Sequence, residues 1–341
     1  MFSKKYDIIF FCSSRIDEIW VRSTALCLSK FKVKIAILFY NPRKEKLPEI
    51  YKNYPIKIIS TDNLNSTKKY KADIIVSAST NIRKSFFSQS IKHFIHMPHS
   101  LVSLHGVYPE NAFDAFDILF ACTPFHIEEF KAISKIQNIA NPRIFRTGYG
   151  KLDILLADSP PYQEKKHVLI APSWGDRNIL ETTGYDLILL LLKEGYKVTL
   201  RPHPMFYLEK KEVLEPFLQI EHPGFQIEEF LESTAIYLAD TLVTDYSGIA
   251  LEYLALGTNQ RAVFVNTPPK ILNLKIDLHD LPLFEVEKRQ QFGLVVENNP
   301  QTIFNVLHEQ SDWPSYRVDF IYNPGICGMI ASHQLMDILK S

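Results

Sequence analysis

The feature that most narrows what this chain can fold into is an alternation repeated twice along its length. Short apolar runs of β type occur at Asp7–Cys12, Val33–Phe39, Ile56–Ile59, Ile74–Ser77, His93–His96 and Ile118–Cys122. Between them lie helix-spaced patterns, among them Ile16–Leu28, Ile82–Ser90 and Phe125–Ile133. A bend follows at Thr147–Asp153 (TGYGKLD), with two glycines in three residues, and then a proline- and charge-rich stretch, DSPPYQEKK. A second series begins there: strand His167–Ala171, helix Asp186–Lys193, strand Lys197–Leu200, helix Leu208–Leu218, strand Leu242–Thr244, helix Ile249–Leu256 and strand Ala262–Val265. Alternation of this kind implies parallel sheets covered by helices. At 341 residues the chain is long enough for two such units of roughly 150–170 residues each. The expected fold is therefore α/β, with two Rossmann-like doubly wound domains facing a central cleft. The first is expected over residues 1–150 and the second over 151–322. A final helical pattern, Met329–Leu339, lies in 323–341, and its packing is not readable from sequence.

Charge and cysteines remove several classes of function. Lys and Arg number 38, as do Asp and Glu, so no broad basic surface points to nucleic acid. Cys12, Cys27, Cys122 and Cys327 are far apart and form no CxxC pair, against a zinc site or a disulfide framework. Cys12 and Cys122 lie in apolar runs and read as buried thiols, which fits a reducing, cytoplasmic setting. The start has a basic tip, but its apolar run is too short for a signal peptide and reads as the first buried strand. The longest apolar run, Leu187–Leu192, is far short of a membrane span. No strongly basic amphipathic helix is present, and the lysines of Lys68–Lys84 read as a solvated face, so at most weak, peripheral membrane attachment is expected. Ser13, Ser14 and Arg15 follow the first strand where dinucleotide folds carry GxGxxG, so that fingerprint is absent.

Four polar clusters fall at the carboxyl ends of expected strands, the rim where an α/β site belongs. They are His96–Ser100, Pro172–Asp176, Arg201–Pro204 and Thr244–Gly248. Thr244, Asp245, Tyr246, Ser247 and Gly248 form a small-residue turn into a helix, whose unpaired N–H groups suit a phosphate. The bland alternative is an ordinary crossover with Ser247 as an N-cap. Arg201 offers a planar fork for phosphate oxygens, and Pro202 and Pro204 hold His203 rigidly beside it. The alternative there is a proline-ended turn with His203 on the surface. Glu252, in the helix after Ser247, is a candidate for ribose hydroxyls, the alternative being an ordinary exposed helix glutamate. Trp174 and Asp176 are candidates to floor the site or stack on a base; a core tryptophan and a capped helix start are equally open. His99 has the pKa range of a general base, and His96 and His105 are secondary candidates. The spacing of His93, His96, His99 and His105 is not decisive for a metal, but strand geometry would point successive ones in different directions, and none is expected.

The ordered motifs HMPHS, TGYGKLD, LIAPSWGD, LRPHP and LVTDYSGIALEYL resemble the CDP-glycerol glycerophosphotransferases of teichoic acid and capsule synthesis, from about Phe94 to Leu256. The resemblance implies a GT-B fold, no metal in the chemistry and no cofactor. It also implies that the C-terminal helix crosses back to the first domain. By resemblance His99 matches the base, and His203, Ser247 and Gly248 match phosphate-binding groups. Tyr149 and Lys151 fall in the family's G-[YF]-x-[KR]-x-D element. Three departures stand out. HMPHSLVSLHG replaces a WHG[TI]P-like segment, so His96 or His105 is an alternative base. Gly248 replaces the second Ser of TDYSS, and Gly175 the Arg of APTWRD. The implied function is transfer of a glycerol-phosphate or related polyol-phosphate group from a CDP-activated donor to a glycan or lipid-linked acceptor, in the cytoplasm at the inner face of the membrane. The alternatives are a GT-B glycosyltransferase using a CMP- or UDP-sugar (sialyl- or Kdo-transfer), a UDP-sugar 2-epimerase, and a non-catalytic nucleotide-binding subunit.

Overall fold

The structure is a computed structural model that describes residues 5–41, 48–80, 82–138, 141–158, 163–228, 234–257, 260–273, 275, 277, 280–309, 313–314 and 319–341. The basic tip 1–4 and the centre of the proline-rich stretch, 159–162, lie outside the described residues. The chain divides into two compact units, one of Met1–Leu104, Tyr108–Ala157 and Phe320–Ser341, the other of His105–Val107 and Asp158–Asp319.

The first unit is built on seven parallel strands in the order β3-β2-β1-β4-β5-β6-β7. These are β1 (Ile8–Cys12), β2 (Ile35–Tyr40), β3 (Ile56–Thr61), β4 (Ile74–Ser77), β5 (His93–His96), β6 (Ile118–Ala121) and β7 (Arg143–Arg146). Strands β1, β4 and β6 are buried throughout, which is why they read as unbroken apolar runs rather than alternating ones. Helix Glu18–Leu28 and the C-terminal helix Cys327–Lys340 pack together over this sheet, bringing Val21, Ala25 and Leu28 into one core with Ala331, Leu335 and Ile338. Their approach needs Gly328, since a Cβ there would come 2.6 Å from the Ser23 carbonyl carbon. Asp153 closes the start of the C-terminal helix by accepting from the N–H groups of Cys327 (2.9 Å) and Gly328 (2.6 Å).

The second unit carries six parallel strands, order β10-β9-β8-β11-β12-β13. They are β8 (Glu164–Ile170), β9 (Lys197–Leu200), β10 (Phe225–Ile227), β11 (Ala239–Thr244), β12 (Arg261–Asn266) and β13 (Leu294–Glu297). Helix Gly184–Lys193 buries Leu187, Ile188, Leu191 and Leu192 against the sheet. In both sheets the order reverses beside the first strand, at β1/β4 and at β8/β11. Those are the topological switch points, where the crevice for a ligand opens at the carboxyl ends.

The expected elements need four corrections. Ile82–Ser90 is not a helix: only a 3-10 turn forms, Lys84–Phe86, and the Ser88 hydroxyl bonds locally to Ser90, an alternative to the helical ladder. Leu208–Leu218 is two helices, Pro204–Glu209 and Lys211–Leu218; Pro204 starts the first earlier than its apolar pattern does. The Thr147–Asp153 bend is confined to Gly148, at φ +99°, and a helix, Gly150–Asp158, begins immediately after. The unforeseen strands β7, β10 and β13 are all sheet edges, short and part-exposed, so they lack the apolar run that marks a central strand.

Candidate functional site

In the second unit the loops after β8 and β11 meet across the switch point through Asp245. Its buried carboxylate accepts from Ser173 N–H (2.7 Å), the Ser173 hydroxyl (3.0 Å) and Tyr246 N–H (2.6 Å). Burial raises this carboxyl's pKa, and the bonds from Ser173 and Tyr246 oppose the rise. The Thr244 hydroxyl donates to the Ala171 carbonyl at 2.7 Å, a second tie between the same strand ends. Asp245 and Thr244 are thus committed to loop geometry rather than turned toward a ligand.

Ser247 does not cap the helix. Gly248 occupies the N-cap position of Ile249–Leu254 in αR geometry, with no side-chain cap. The Ser247 hydroxyl and the N–H groups of Ser247 and Gly248 have no hydrogen-bond partner among the described residues, and both residues are part-exposed. Three donors therefore stand together at the carboxyl end of β11. Glu252 is buried on that helix.

His203 caps the helix Pro204–Glu209, its Nδ1 accepting from Met205 N–H at 3.2 Å. The neutral ring's hydrogen is therefore on Nε2, which can donate. Its ring stacks on Trp174 at 6.0 Å between centroids and 29° between planes. Arg201, expected to face phosphate oxygens, is instead buried, with Nη1 3.4 Å from a Glu228 carboxylate oxygen. Glu228 also accepts from Ala235 N–H at 2.7 Å. Arg201 supports the loop from within. Asp176 points outward, paired with Lys210 at 2.8 Å, which also meets Glu181 at 2.7 Å.

Two basic residues at this rim carry no motif and were not foreseen. Lys270, four residues past β12, lies 3.9 Å above the Trp174 ring. Arg289 donates to the Asn266 side chain at 2.5 Å, and its guanidinium lies 4.7 Å from the Tyr246 ring centroid. A cation with no sequence neighbour in the site, whether on a loop like Lys270 or opening a short helix like Arg289, leaves no signal for a single-sequence reading.

At the first unit's switch point stands His99. Its Nδ1 meets the Ala78 carbonyl at 2.8 Å, just past β4, and its ring lies 5.3 Å from that of Trp20, on the helix after β1. A carbonyl can only accept, so Nδ1 carries the hydrogen and Nε2 keeps its lone pair. The Tyr108 hydroxyl lies 3.4 and 3.3 Å from the two ring nitrogens. Tyr149, accepting from Trp20 Nε1 at 2.8 Å and donating to the His99 carbonyl at 3.1 Å, holds the backbone there. His99 is part-exposed, whereas His96 and His105 are wholly buried. His96 sits between Phe113 and Phe116 at 5.2 and 5.0 Å, and burial, then the nearby His99 and His126, pull its pKa down. His105 Nε2 donates to the Leu281 carbonyl at 2.7 Å. Lys151 is buried in the helix after Gly148. Among the described residues no three His, Cys, Asp or Glu side chains gather as metal ligands, and no helix is long and apolar enough to cross a membrane.

Residues 112–258 match the family model described as CDP-Glycerol:Poly(glycerophosphate) glycerophosphotransferase. That span contains Tyr149, Lys151 and the whole β8–β11 rim, and begins after His96, His99 and His105. The curated proteins contain no match. Among solved structures, the wall teichoic acid polymerase TagF is similar at TM-score 0.66 and 14% identity, covering 98% of this chain and 89% of that one. A UDP-GlcNAc 2-epimerase from Methanocaldococcus jannaschii, in complex with UDP-GlcNAc and UDP, is similar at TM-score 0.59 and 14% identity, covering 99% and 100%. The epimerase from Neisseria meningitidis reaches 0.56 at 12%, covering 99% and 100%. At these identities the likeness speaks for the fold, the GT-B type expected from the motifs. Motif order and family model meet on the same rim of the same fold, over residues 112–258, somewhat less than half of the chain.

Proposed function

We propose that the chain moves a glycerol-phosphate or closely related polyol-phosphate group from a CDP-activated donor to a hydroxyl of a glycan or lipid-linked acceptor. The observation that carries this reading is the β11 turn. Asp245 pins it across the switch point and leaves the Ser247 hydroxyl and two backbone N–H groups uncommitted, inside the family-matched span. Donors held by the fold need no reorganisation when charge grows on a diphosphate. A TagF variant was soaked with CDPG, which supports the same donor class here.

In the proposed reaction the acceptor oxygen attacks the β-phosphorus of the donor. The bond from that phosphorus to CMP breaks, and CMP leaves with the electron pair. The acceptor's proton passes to Nε2 of His99, the nitrogen whose lone pair the Ala78 carbonyl leaves available. His203 Nε2–H and the three donors at Ser247 and Gly248 hold the diphosphate. Most of the rate enhancement comes from positioning and electrostatics, since phosphoryl transfer leaves little covalent work to the protein. Weak, peripheral attachment at the inner membrane face completes the reading.

Calorimetric titration with CDP-glycerol, CMP-sialic acid, CMP-Kdo and UDP-GlcNAc tests the donor, with liposome flotation as the companion measurement. Binding of CDP-glycerol and release of CMP on adding acceptor are expected. Tight binding of UDP-GlcNAc with no cytidine nucleotide bound would replace this reading with the epimerase one, and stable co-flotation in high salt would rule out weak attachment.

A further inference from the structure

Lys270 lies in a setting unlike that of other part-buried lysines in its unit. Lys210 meets two carboxylates and Lys197 meets Glu164. Among the described residues Lys270 has no carboxylate or carbonyl partner, and its ammonium rests on the face of Trp174 alone, 3.9 Å from the ring centroid. A ring quadrupole offsets only part of what an ammonium loses on leaving water. Burial accordingly pulls its pKa down to about 8, with the charge of Glu209 opposing the shift. A half-buried cation with no anion in hydrogen-bond contact among the described residues is an arrangement suited to one that arrives.

Its neighbours say where that anion would sit. Trp174 follows β8 and stacks on His203, which follows β9. Lys270 follows β12, so three loops of one carboxyl rim meet at this ring. The backbone comes close to the lysine here: a Cβ at Gly175 would lie 3.1 Å from the Lys270 Cβ, a tight contact that one of the two would have to ease. The ammonium and the imidazole that can donate Nε2–H thus both lie against the Trp174 ring.

We infer that Lys270 is a donor-binding residue, its ammonium leaving the Trp174 face to take a phosphate oxygen of a nucleoside diphosphate-linked donor beside His203. The inference deepens the transferase reading and rests on it for the identity of the donor, though not for the presence of a diphosphate. A charge-assisted hydrogen bond of this kind contributes roughly 1.5–3 kcal/mol, about tenfold or more in affinity.

The test titrates wild type, Lys270→Met and Lys270→Arg with CDP-glycerol, inorganic pyrophosphate and cytidine. Lys270→Met should weaken CDP-glycerol and pyrophosphate about tenfold or more and leave cytidine unchanged, while Lys270→Arg keeps both anions within a few-fold. If pyrophosphate binding is lost in Lys270→Met although wild type ignores CDP-glycerol, Lys270 stands as the anion-binding cation and the donor assignment fails. Unchanged pyrophosphate affinity in Lys270→Met, or a parallel loss of cytidine, overturns the inference. Should Lys270→Met not fold, Trp174 reports directly in wild type. Pyrophosphate should alter a fluorescence component that Trp174→Phe removes, and an unchanged emission at saturation counts against the proposed movement.

Discussion

Single side chains divide the proposed chemistry in a way that kinetics can resolve. His99 presents an imidazole with its tautomer set by the Ala78 carbonyl, and Tyr149 holds the same residue's backbone. His99→Ala should lower kcat about 10²–10⁴-fold with donor affinity nearly unchanged, the range of general-base assistance. His203→Ala should weaken donor binding and turnover together, because in the proposed reaction it would touch phosphate in ground and transition states alike. Steady-state kinetics on the two variants separates these patterns. Near-wild-type turnover in His99→Ala would remove it as the base. His96 and His105 would then be poor substitutes, being sealed in the interior with His96 held neutral by burial.

At the scale of an element, helix Glu18–Leu28 starts with an acid that has no contact with water. Glu18 is buried between Arg15 (2.8 Å) and Arg22 (2.7 Å) and also accepts from the Tyr51 hydroxyl. Burial pushes its pKa up, but the bonds and charge of Arg22, then Tyr51 and Arg15, outweigh that and hold it below the usual glutamate value. A carboxyl with a lowered folded-state pKa stabilises the fold fully above its unfolded value. That contribution fades as pH falls through the folded value. The wild type should therefore lose stability on acidification below about pH 4.5, the ordinary glutamate range, more steeply than Glu18→Gln. Urea midpoints of the two proteins between pH 3 and 7 check this, and parallel curves would show that Glu18 is not the group responsible. At neutral pH Glu18→Gln should be the less stable, since two guanidinium groups then lose their charge partner.

For the molecule as a whole, the decisive fact is that the first unit is discontinuous. Residues from Phe320 onward belong to it although the second unit intervenes in the chain. The C-terminal helix supplies Ala331, Leu335 and Ile338 to the core around β1 and helix Glu18–Leu28, and Asp153 anchors its start. Fully burying a leucine or isoleucine stabilises by about 1.5–3 kcal/mol, so loss of this helix removes a large share of a domain's marginal stability. A chain ended at Asp319 should show early proteolysis within residues 1–157 and a lowered melting transition for that unit, with the second unit's transition retained. Equal protease resistance of the two chains would show that the helix is dispensable.

Residues alone determined the α/β class, the central strands and the placement of Trp174, His203 and Thr244–Gly248 after strands, because buried parallel strands are written as apolar runs and polar clusters at their ends are local in sequence. The motif order also pointed to the family before any geometry. Only the tertiary structure decided which motif members face outward. Arg201 and Asp245 look like ligand groups in the sequence, yet one is buried against Glu228 and the other ties Ser173 to Tyr246. Likewise His96, His99 and His105 are alike as letters, and burial alone distinguishes the part-exposed one. Lys270 over Trp174 and the helix Cys327–Lys340 over Ser23 join residues far apart in the chain. A contact of that kind depends on how strands and loops close in space, and no local pattern encodes it.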